Sequence, residues 1–418
     1  MQIIRLTFLF ALVVSNLIYS QNGWILQTVN SDLDINYLSY KDTNICQLAS
    51  KNFVTTPPKV LVSTNGTNSW QTIELFSFGI THLQFLNSLT GYLLDYQTNE
   101  IKLRRTNNSG LSWSVVTTLY VGTGNYKKLY FINSNTGFIW DSYPPRKTTN
   151  GGVNWIDATF SPVTGYSEIC FVNTDTGFIN GTNASVNCIA KTTNIGINWN
   201  ITEITSFCIK IRFADINTGY AMCNNSLLLK TTNCGANWNV IPILPPEILI
   251  SISVVNQFVC YILTQSGKIL KTTNGGTNFT IQTLPQSGVS FREVEFASVT
   301  SGVVLCSGGK IMKTTSGGEI LGIQTVSNII PKEFNVSQNY PNPFNPATQI
   351  NFDVPERTYV DLVVYDQLGR EVETLVNEQL SAGSYKYEWN AVDYPSGVYF
   401  YKLQAGDFAE TKKMILIK

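Results

Sequence analysis

Histidine is almost absent from this chain, because His82 is the only one among 418 residues. This scarcity excludes zinc sites built on several imidazoles and the HExxH metalloproteases, and it leaves one candidate base for a Ser-His-Asp triad. Charge is scarce as well, since only 13% of the residues are charged and Lys+Arg and Asp+Glu are both 28. A neutral, weakly charged chain lacks the basic surface that phosphate-backbone binding needs, so we expect no nucleic-acid partner.

The eight cysteines form no CxxC pair, which excludes the usual zinc and redox signatures. Cys208 and Cys223 flank one predicted hairpin whose turn is centred near residues 215–216, so they are the candidate for a cross-strand disulfide. We expect the other cysteines to be small buried residues. We also expect no metal ion and no cofactor.

The first twenty residues have the layout of a secretory signal peptide. Arg5 gives a short positive start, the stretch from Leu6 to Ile18 is mostly apolar, and Ser20 is a small residue at its end. The apolar run is too short for a comfortable membrane span. We predict that residues 1–20 are a signal peptide and that the protein is exported, which permits disulfides. The alternative is a buried N-terminal strand.

A repeat of about 42 residues dominates the middle of the chain. One phrase, which we call the KTTN phrase, reads KTTNGGVNW and ends at Trp155. Its other copies end at Trp70, Trp113, Trp199, Trp238 and Phe279, and a truncated copy runs from Lys313 to Gly318. A second phrase such as LYFINSNTGFIW (129–140) precedes each copy by about twenty residues. Two strand-like phrases per unit at this period are typical of a β-propeller.

Seven copies of each phrase predict seven blades of four strands. The seventh KTTN phrase lacks its aromatic residue, whereas Trp24 is an aromatic residue with no such phrase before it. We therefore predict that the strand at Trp24 completes the seventh blade, beside residues 294–318, and closes the ring without free strand edges. The predicted propeller covers 21–322, followed by a linker over 323–335.

Alternation along the innermost strands predicts which side chains face the central channel. Each of these strands carries a Phe or its equivalent, and the residue two positions before it is apolar in every blade. The residues one and three positions before it are mostly polar and should face the channel or its mouth. The candidate ligand-binding residues are His82, Lys128, Glu168, Lys210, Arg212, Glu293 and Glu295. The alternative is a solvated lining of the kind that every propeller has.

The phrase Thr-x-Asn-x-Gly-x-Asn-Trp resembles the Asp-box of sialidase-like repeat propellers, with Asn at the usual Asp position. The whole repeat is similar to that of photosystem II assembly-factor-like propellers, and the resemblance covers residues 21–322. In this reading the box aromatics are structural, and they are Trp113, Trp155, Trp199, Trp238 and Phe279.

A sialidase-like glycoside hydrolase or a carbohydrate-binding protein is the main alternative that this resemblance raises. Sialidase chemistry needs an arginine cluster for a carboxylate, a Tyr nucleophile and acid residues. The arginines of the predicted propeller are Arg104, Arg105, Arg146, Arg212 and Arg292, and none lies in an FRIP-like phrase. We therefore expect that the protein is not an enzyme.

The residues from 336 to 418 predict a small β-sandwich. Alternation assigns Val360, Leu362 and Val364 to one face of a strand. It likewise assigns Val398 and Phe400 to one face of a second strand, and Ile415 and Ile417 to one face of a third. Five pieces resemble the type A C-terminal sorting domain of the type IX secretion system: NYPNPFNP (339–346), VYDQLGR (364–370), AGSYKYEWNA (382–391), SGVYFYKL (396–403) and KKMILIK (412–418).

This second resemblance implies that residues 336–418 engage the type IX secretion machinery as a partner. It also implies a location outside a bacterial cell or on its outer-membrane surface. We therefore predict an all-β protein, a seven-bladed propeller followed by an immunoglobulin-like sandwich, that acts as a monomeric binding or scaffold module. A glycan, a peptide or another surface protein is the expected ligand.

Overall fold

The computed structural model describes residues 18–19, 23–50, 57–75, 79–97, 100–120, 127–140, 144–243, 246–285, 288–318, 323–327, 330–391 and 394–417. Every helix or strand assigned in these ranges is a β-strand, so the predicted all-β class is confirmed. The described residues include no helix long and apolar enough to cross a membrane. The chain divides into two compact units after Gly318.

Seven sheets make up the first unit, each built from strands consecutive in sequence except the last. Blade 1 contains β3 (Ile35–Ser39), β4 (Cys46–Ser50), β5 (Lys59–Ser63) and β6 (Gln71–Glu74). Blade 2 contains β7 (Gly79–Phe85), β8 (Gly91–Gln97), β9 (Glu100–Thr106) and β10 (Ser114–Tyr120). Blade 3 contains β11 (Lys128–Phe131), β12 (Gly137–Trp140), β13 (Arg146–Thr148) and β14 (Ile156–Asp157). Blade 4 contains β15 (Ile169–Phe171), β16 (Gly177–Asn183), β17 (Val186–Thr192) and β18 (Asn200–Glu203).

The remaining blades complete the ring. Blade 5 contains β19 (Cys208–Phe213), β20 (Gly219–Cys223), β21 (Leu227–Thr231) and β22 (Asn239–Ile241). Blade 6 contains β23 (Leu249–Val254), β24 (Cys260–Thr264), β25 (Lys268–Thr272) and β26 (Thr280–Thr283). Blade 7 contains β27 (Phe291–Phe296), β28 (Gly302–Cys306) and β29 (Lys310–Thr314), joined by β2 (Ile25–Thr28) and then β1 (Ile18–Tyr19).

The N-terminal strand β2 lies antiparallel to β29, with Ile25 opposite Lys313. Trp24 immediately before it is fully buried, meets the ring of Phe296 edge-on at 5.9 Å, and donates a hydrogen bond from Nε1 to Gln282 Oε1 at 3.1 Å. On the other side of blade 7, strands β27 and β28 pack against β3 of blade 1. The last blade therefore combines the two ends of the propeller sequence, and the ring is closed.

An aromatic stack holds successive blades together. The ring of Tyr92 in blade 2 stacks on Phe131 in blade 3, with centroids 3.7 Å apart and planes 3° apart. Phe131 in turn covers Gly137, where an added Cβ would lie only 2.7 Å from the ring. Six residues after the inner-strand Phe, the sequence has a glycine and then an aromatic residue, and these contacts explain both. The glycine leaves room for the Phe ring of its own blade, and the aromatic ring stacks on the Phe ring of the next blade.

The KTTN phrase forms a compact turn between the third and fourth strands of a blade. Thr148 Oγ1 accepts hydrogen bonds from the N–H groups of Asn150 and Gly152, and Asn150 Oδ1 accepts one from the N–H of Asn154 at 2.9 Å. Trp155 donates from Nε1 to the carbonyl of Gly152 at 3.0 Å. The side chains thus satisfy the backbone of the turn locally, as Thr and Asn commonly do.

The irregular copy of this turn keeps two of these bonds. Ser63 Oγ accepts from the N–H of Thr67 at 2.9 Å, and Asn65 Oδ1 accepts from that of Ser69 at 3.0 Å. Thr67 takes the place of glycine with a φ of 69°. Of the five predicted box aromatics, only Trp199 is fully buried; Trp113, Trp155, Trp238 and Phe279 are partly exposed.

The second unit is a sandwich of two four-stranded sheets. The first sheet has the order β30 (Ile323–Ser327), β35 (Gly383–Asn390), β32 (Ala347–Val354) and β31 (Asn335–Val336). The second has the order β34 (Glu371–Leu380), β33 (Thr358–Tyr365), β36 (Gly397–Ala405) and β37 (Phe408–Leu416). The core between them includes the predicted Val360, Leu362 and Val364.

The structure shows which strand faces are inner and where the sandwich begins. In β36 and β37 the core takes Tyr399, Tyr401 and Met414, and Ile417 is 51% exposed, so Val398 with Phe400 and Ile415 with Ile417 lie on the outer faces of the sandwich. The predicted linker over 323–335 contains β30, which hydrogen-bonds to the edge of β35 and so belongs to the sandwich. The predicted signal peptide lies outside the described residues, apart from β1.

Candidate ligand-binding site

Inner-strand side chains of the propeller surround one cavity of about 630 Å³. The seven residues predicted from the alternation pattern all line it: His82, Lys128, Glu168, Lys210, Arg212, Glu293 and Glu295. Lys41, which the sequence analysis missed, also lines the cavity. It follows Tyr40, the blade 1 equivalent of the inner-strand Phe, by one residue.

Strand alternation brings these side chains together. The apolar residues two positions before each Phe, such as Leu129, Ile169 and Ile211, are buried in the cores of the blades. Because successive strand residues face opposite sides, the residues one and three positions before the Phe face the cavity. The orientation of this lining is thus a direct consequence of packing the apolar row.

The side chains one position before the Phe also fasten neighbouring blades together. Gln84 accepts from the N–H of Phe131 at 2.6 Å and donates to its carbonyl at 3.1 Å. Glu295 accepts from the N–H of Tyr40 at 2.7 Å across the closure between blades 7 and 1. Equivalent bonds join Phe171 N–H to Tyr130 and Phe296 N–H to Ser253. Part of the polar lining therefore has a structural role that alternation alone does not predict.

Ion pairs engage each carboxylate of the cavity lining. Arg212 Nη1 lies 2.8 Å from Glu168 Oε1, and the other oxygen of Glu168 accepts from the N–H of Ile211 at 2.9 Å. Lys210 lies 2.8 Å from Glu293. Lys41 pairs with Glu295 at the channel mouth.

These pairs set the protonation state of Glu293. Burial on its own would raise the pKa of this carboxyl group, but the charge and hydrogen bond of Lys210, with Arg212 and Lys41 nearby, lower the pKa below its ordinary value of 4.5. Glu293 is therefore ionised at neutral pH.

Lys128 and His82 differ from the paired groups. Lys128 donates from Nζ to the carbonyl of Ser167 at 2.9 Å, and no described carboxylate lies within 4.0 Å of it. His82 has a buried Nδ1 with no hydrogen-bond partner in the described part of the chain. Burial lowers the pKa of His82 to about 4, so the ring is neutral at pH 7.

The arginines of the propeller do not gather around this cavity. Arg212 lines it, whereas Arg104 pairs with Asp95 at 3.0 Å within blade 2 and Arg146 pairs with Asp157 at 3.6 Å within blade 3. Arg105 bonds to Asn107 in its own box turn, and Arg292 pairs with Asp34. This dispersed arrangement gives no support to the sialidase-like alternative.

The propeller contains a disulfide in one of its hairpins. Cys208 and Cys223 are bonded through their sulfur atoms and lie opposite each other in blade 5. Across the described ranges, no group of three or more His, Cys, Asp or Glu side chains is arranged to hold a metal ion.

Comparison with protein families gives two matches. Residues 338–418 match the secretion system C-terminal sorting domain, and residues 152–321 match the photosynthesis system II assembly factor YCF48. The chain is a β-propeller joined to a type IX secretion sorting domain. The sorting domain marks the protein for secretion, as its C-terminal motifs predict. A comparison with curated protein sequences found no match.

Solved structures share the fold at low sequence identity. YCF48 bound to D1 peptide is 13% identical with a TM-score of 0.56, over 71% of this chain and 97% of that one. YCF48 from Cyanidioschyzon merolae is 14% identical with a TM-score of 0.54, over 69% and 98%. PorZ, a surface component of the type IX secretion system of Porphyromonas gingivalis, is 11% identical with a TM-score of 0.51, over 92% of this chain and 59% of that one.

Proposed function

We propose that this protein is a binding module on the cell surface, which is exported through its sorting domain and takes its ligand at the channel mouth of the propeller. The observation that carries the proposal is the cavity of about 630 Å³ at the inner strands. Its volume is in the range of ligand pockets, and charged and aromatic side chains of the inner strands line it. YCF48, which has the same fold, is known with a bound peptide. At 13% identity this similarity supports ligand binding as a use of the fold, and it assigns no binding residue in this chain.

Photo-crosslinking on intact cells tests the site. A photoreactive amino acid replaces Lys41, which is exposed at the mouth of the cavity, in one variant of the full chain. The matched control carries the same amino acid at Ile156, which is 65% exposed on the outermost strand of blade 3. We expect a discrete crosslinked species from position 41 and none from position 156. Equal crosslinking at both positions, or none at position 41, would contradict a cell-surface partner bound at the channel.

Export is tested separately with the same cells. A chain that lacks residues 338–418 should accumulate inside the envelope and be protected from protease added to intact cells. The control is Lys310→Met in the propeller, which removes one surface charge and leaves the sorting domain intact. Surface exposure of the truncated chain at the level of the control would show that the sorting domain is dispensable.

A further inference from the structure

The cavity has an excess of one positive charge among the described residues. Its lining contains four cations and three carboxylates, with the ring of His82 neutral. The three carboxylates each have their own cation, in the pairs Arg212–Glu168, Lys210–Glu293 and Lys41–Glu295. The charge in excess is that of Lys128, whose hydrogen bond goes to the backbone carbonyl of Ser167.

Lys128 keeps donor capacity for a ligand. An ammonium group has three N–H donors, and the carbonyl of Ser167 takes one of them. The side chain is partly buried, in a lining where the competing cations are held by carboxylates. A partly desolvated cation without a counter-ion attracts an anion more strongly than a paired or fully exposed one does.

His82 lines the cavity in the strand next to that of Lys128 and interacts electrostatically with it. Its Nδ1 is closed to solvent and has no hydrogen-bond partner in the described part of the chain, so the imidazole is a neighbour of the position beside Lys128 and not a donor to it. His82 and Lys128 lie three residues before Phe85 and Phe131, in the inner strands of adjacent blades. Gln84 bonds to both the N–H and the carbonyl of Phe131, so the two strands are fixed side by side.

We propose that Lys128, beside His82, forms a subsite for one carboxylate group of the ligand, either a sugar acid or the C-terminus of a peptide. The inference rests on the proposed binding function and specifies the chemistry of the same cavity. A carboxylate carries the single negative charge that the lining lacks, and its two oxygens can accept from the two N–H donors that Lys128 keeps. A neutral sugar would leave the charge of Lys128 uncompensated, and a phosphate dianion would exceed it.

The single histidine makes the test specific to the site. Selective ¹⁵N labelling of histidine in the full chain gives imidazole signals from His82 alone. These signals are followed during titration with glucuronate and with N-acetylglycine, which represent the two sources of the carboxylate. Glucose and N-acetylglycine amide are the matched neutral probes. We expect the Nδ1 signal to shift with at least one acid and with neither neutral probe.

Variants connect the shift to Lys128. Lys128→Met should weaken the binding of the active acid by about tenfold or more, as expected for the loss of a charged hydrogen bond. Lys128→Arg should retain binding, and Lys310→Met, which removes an equal charge in β29 outside the cavity lining, should leave it unchanged. Folding of each variant is checked by circular dichroism, and the wild-type titration stands without any variant.

Several results would overturn the subsite. They are an Nδ1 signal that ignores both acids, one that responds equally to the neutral probes, or an acid-induced shift that survives Lys128→Met in a folded protein. If crosslinking from position 41 still captures a ligand in any of these cases, the binding function stands and only the carboxylate assignment fails. If the carboxylate shift is present and crosslinking fails, the subsite stands without a surface partner.

Discussion

Trp24→Ala should destabilise the propeller more than the loss of any partly exposed box tryptophan. The indole of Trp24 is fully buried, meets Phe296 edge-on and donates to Gln282 Oε1 at 3.1 Å. Truncating a buried Trp costs about 3–5 kcal/mol, and here the amide oxygen of Gln282 also loses its donor, at about 1 kcal/mol. We therefore expect a loss of about 4–6 kcal/mol in the free energy of unfolding. Trp24→Phe, which keeps an aromatic ring beside Phe296, should cost less than half as much.

Urea titration of the full chain, followed by circular dichroism, measures this loss. Trp155→Ala is the matched control, because Trp155 is partly exposed and donates only to the carbonyl of Gly152 in its own turn. We expect the control to lose about 2 kcal/mol, since part of its surface stays in water in the folded state. An equal loss in the two variants, or a smaller loss for Trp24→Ala, would refute the assignment of Trp24 as the closing residue of blade 7.

Three further predictions follow from named contacts. Denatured protein without reductant should titrate six thiols, and eight free thiols would exclude the bond between Cys208 and Cys223. Replacing these two residues together with serine should lower the free energy of unfolding by about 3 kcal/mol, the value for closing a loop of 15 residues. Because Lys210 holds the pKa of Glu293 below 4.5, the stability from this pair is present above that pH and is lost as the pH falls through the lowered pKa. Glu293→Gln should therefore reduce the slope of the free energy of unfolding against pH on the acid side, and an unchanged slope would count against the pair. Asn150→Ala should cost about 1 kcal/mol by urea titration, as for the loss of a helix-capping side chain, and no loss would show that its turn bonds are dispensable.

The fold was largely predictable because the repeat signals reinforce one another. The period of about 42 residues, the count of the KTTN phrases and the spare aromatic at Trp24 all indicate the same closed ring. Each is a local pattern repeated several times, so an irregular copy such as the one at Asn65 does not change the result. The irregular copy even keeps two of the hydrogen bonds of the turn, because a hydroxyl is still present at Ser63 and Thr67 adopts the positive φ of the glycine that it replaces.

The partners of the lining residues could not be predicted in the same way. Alternation shows that Gln84 and Glu295 face inward, but their partners are backbone groups of the adjacent blades, 47 and 255 residues away. The repeat period does not determine the vertical offset between adjacent blades, and that offset decides which N–H group each side chain meets. Lys41 was missed because the alignment compared only the three positions before the Phe, whereas Lys41 follows its equivalent, Tyr40, and meets Glu295 only when the ring closes.

The inner face of β36 could not be predicted from the sequence for a different reason. From Val398 to Tyr401 every residue is apolar or aromatic, so a period of two fits both faces equally well. What decides between them is pairing with β33, which sets Tyr401 opposite Val364 and so turns Tyr399 and Tyr401 towards the core. A slip of one residue exchanges the two faces of a strand, and only the tertiary pairing resolves it.

Amide hydrogen exchange at the N-terminal strand tests the closed ring most directly. If Ile25–Thr28 completes blade 7, its amides should exchange as slowly as those of its partner Lys310–Thr314, and Trp24→Ala should accelerate exchange in both strands together. Rapid exchange at Ile25–Thr28 while Lys310–Thr314 stays protected would contradict the closure and with it the account of the propeller.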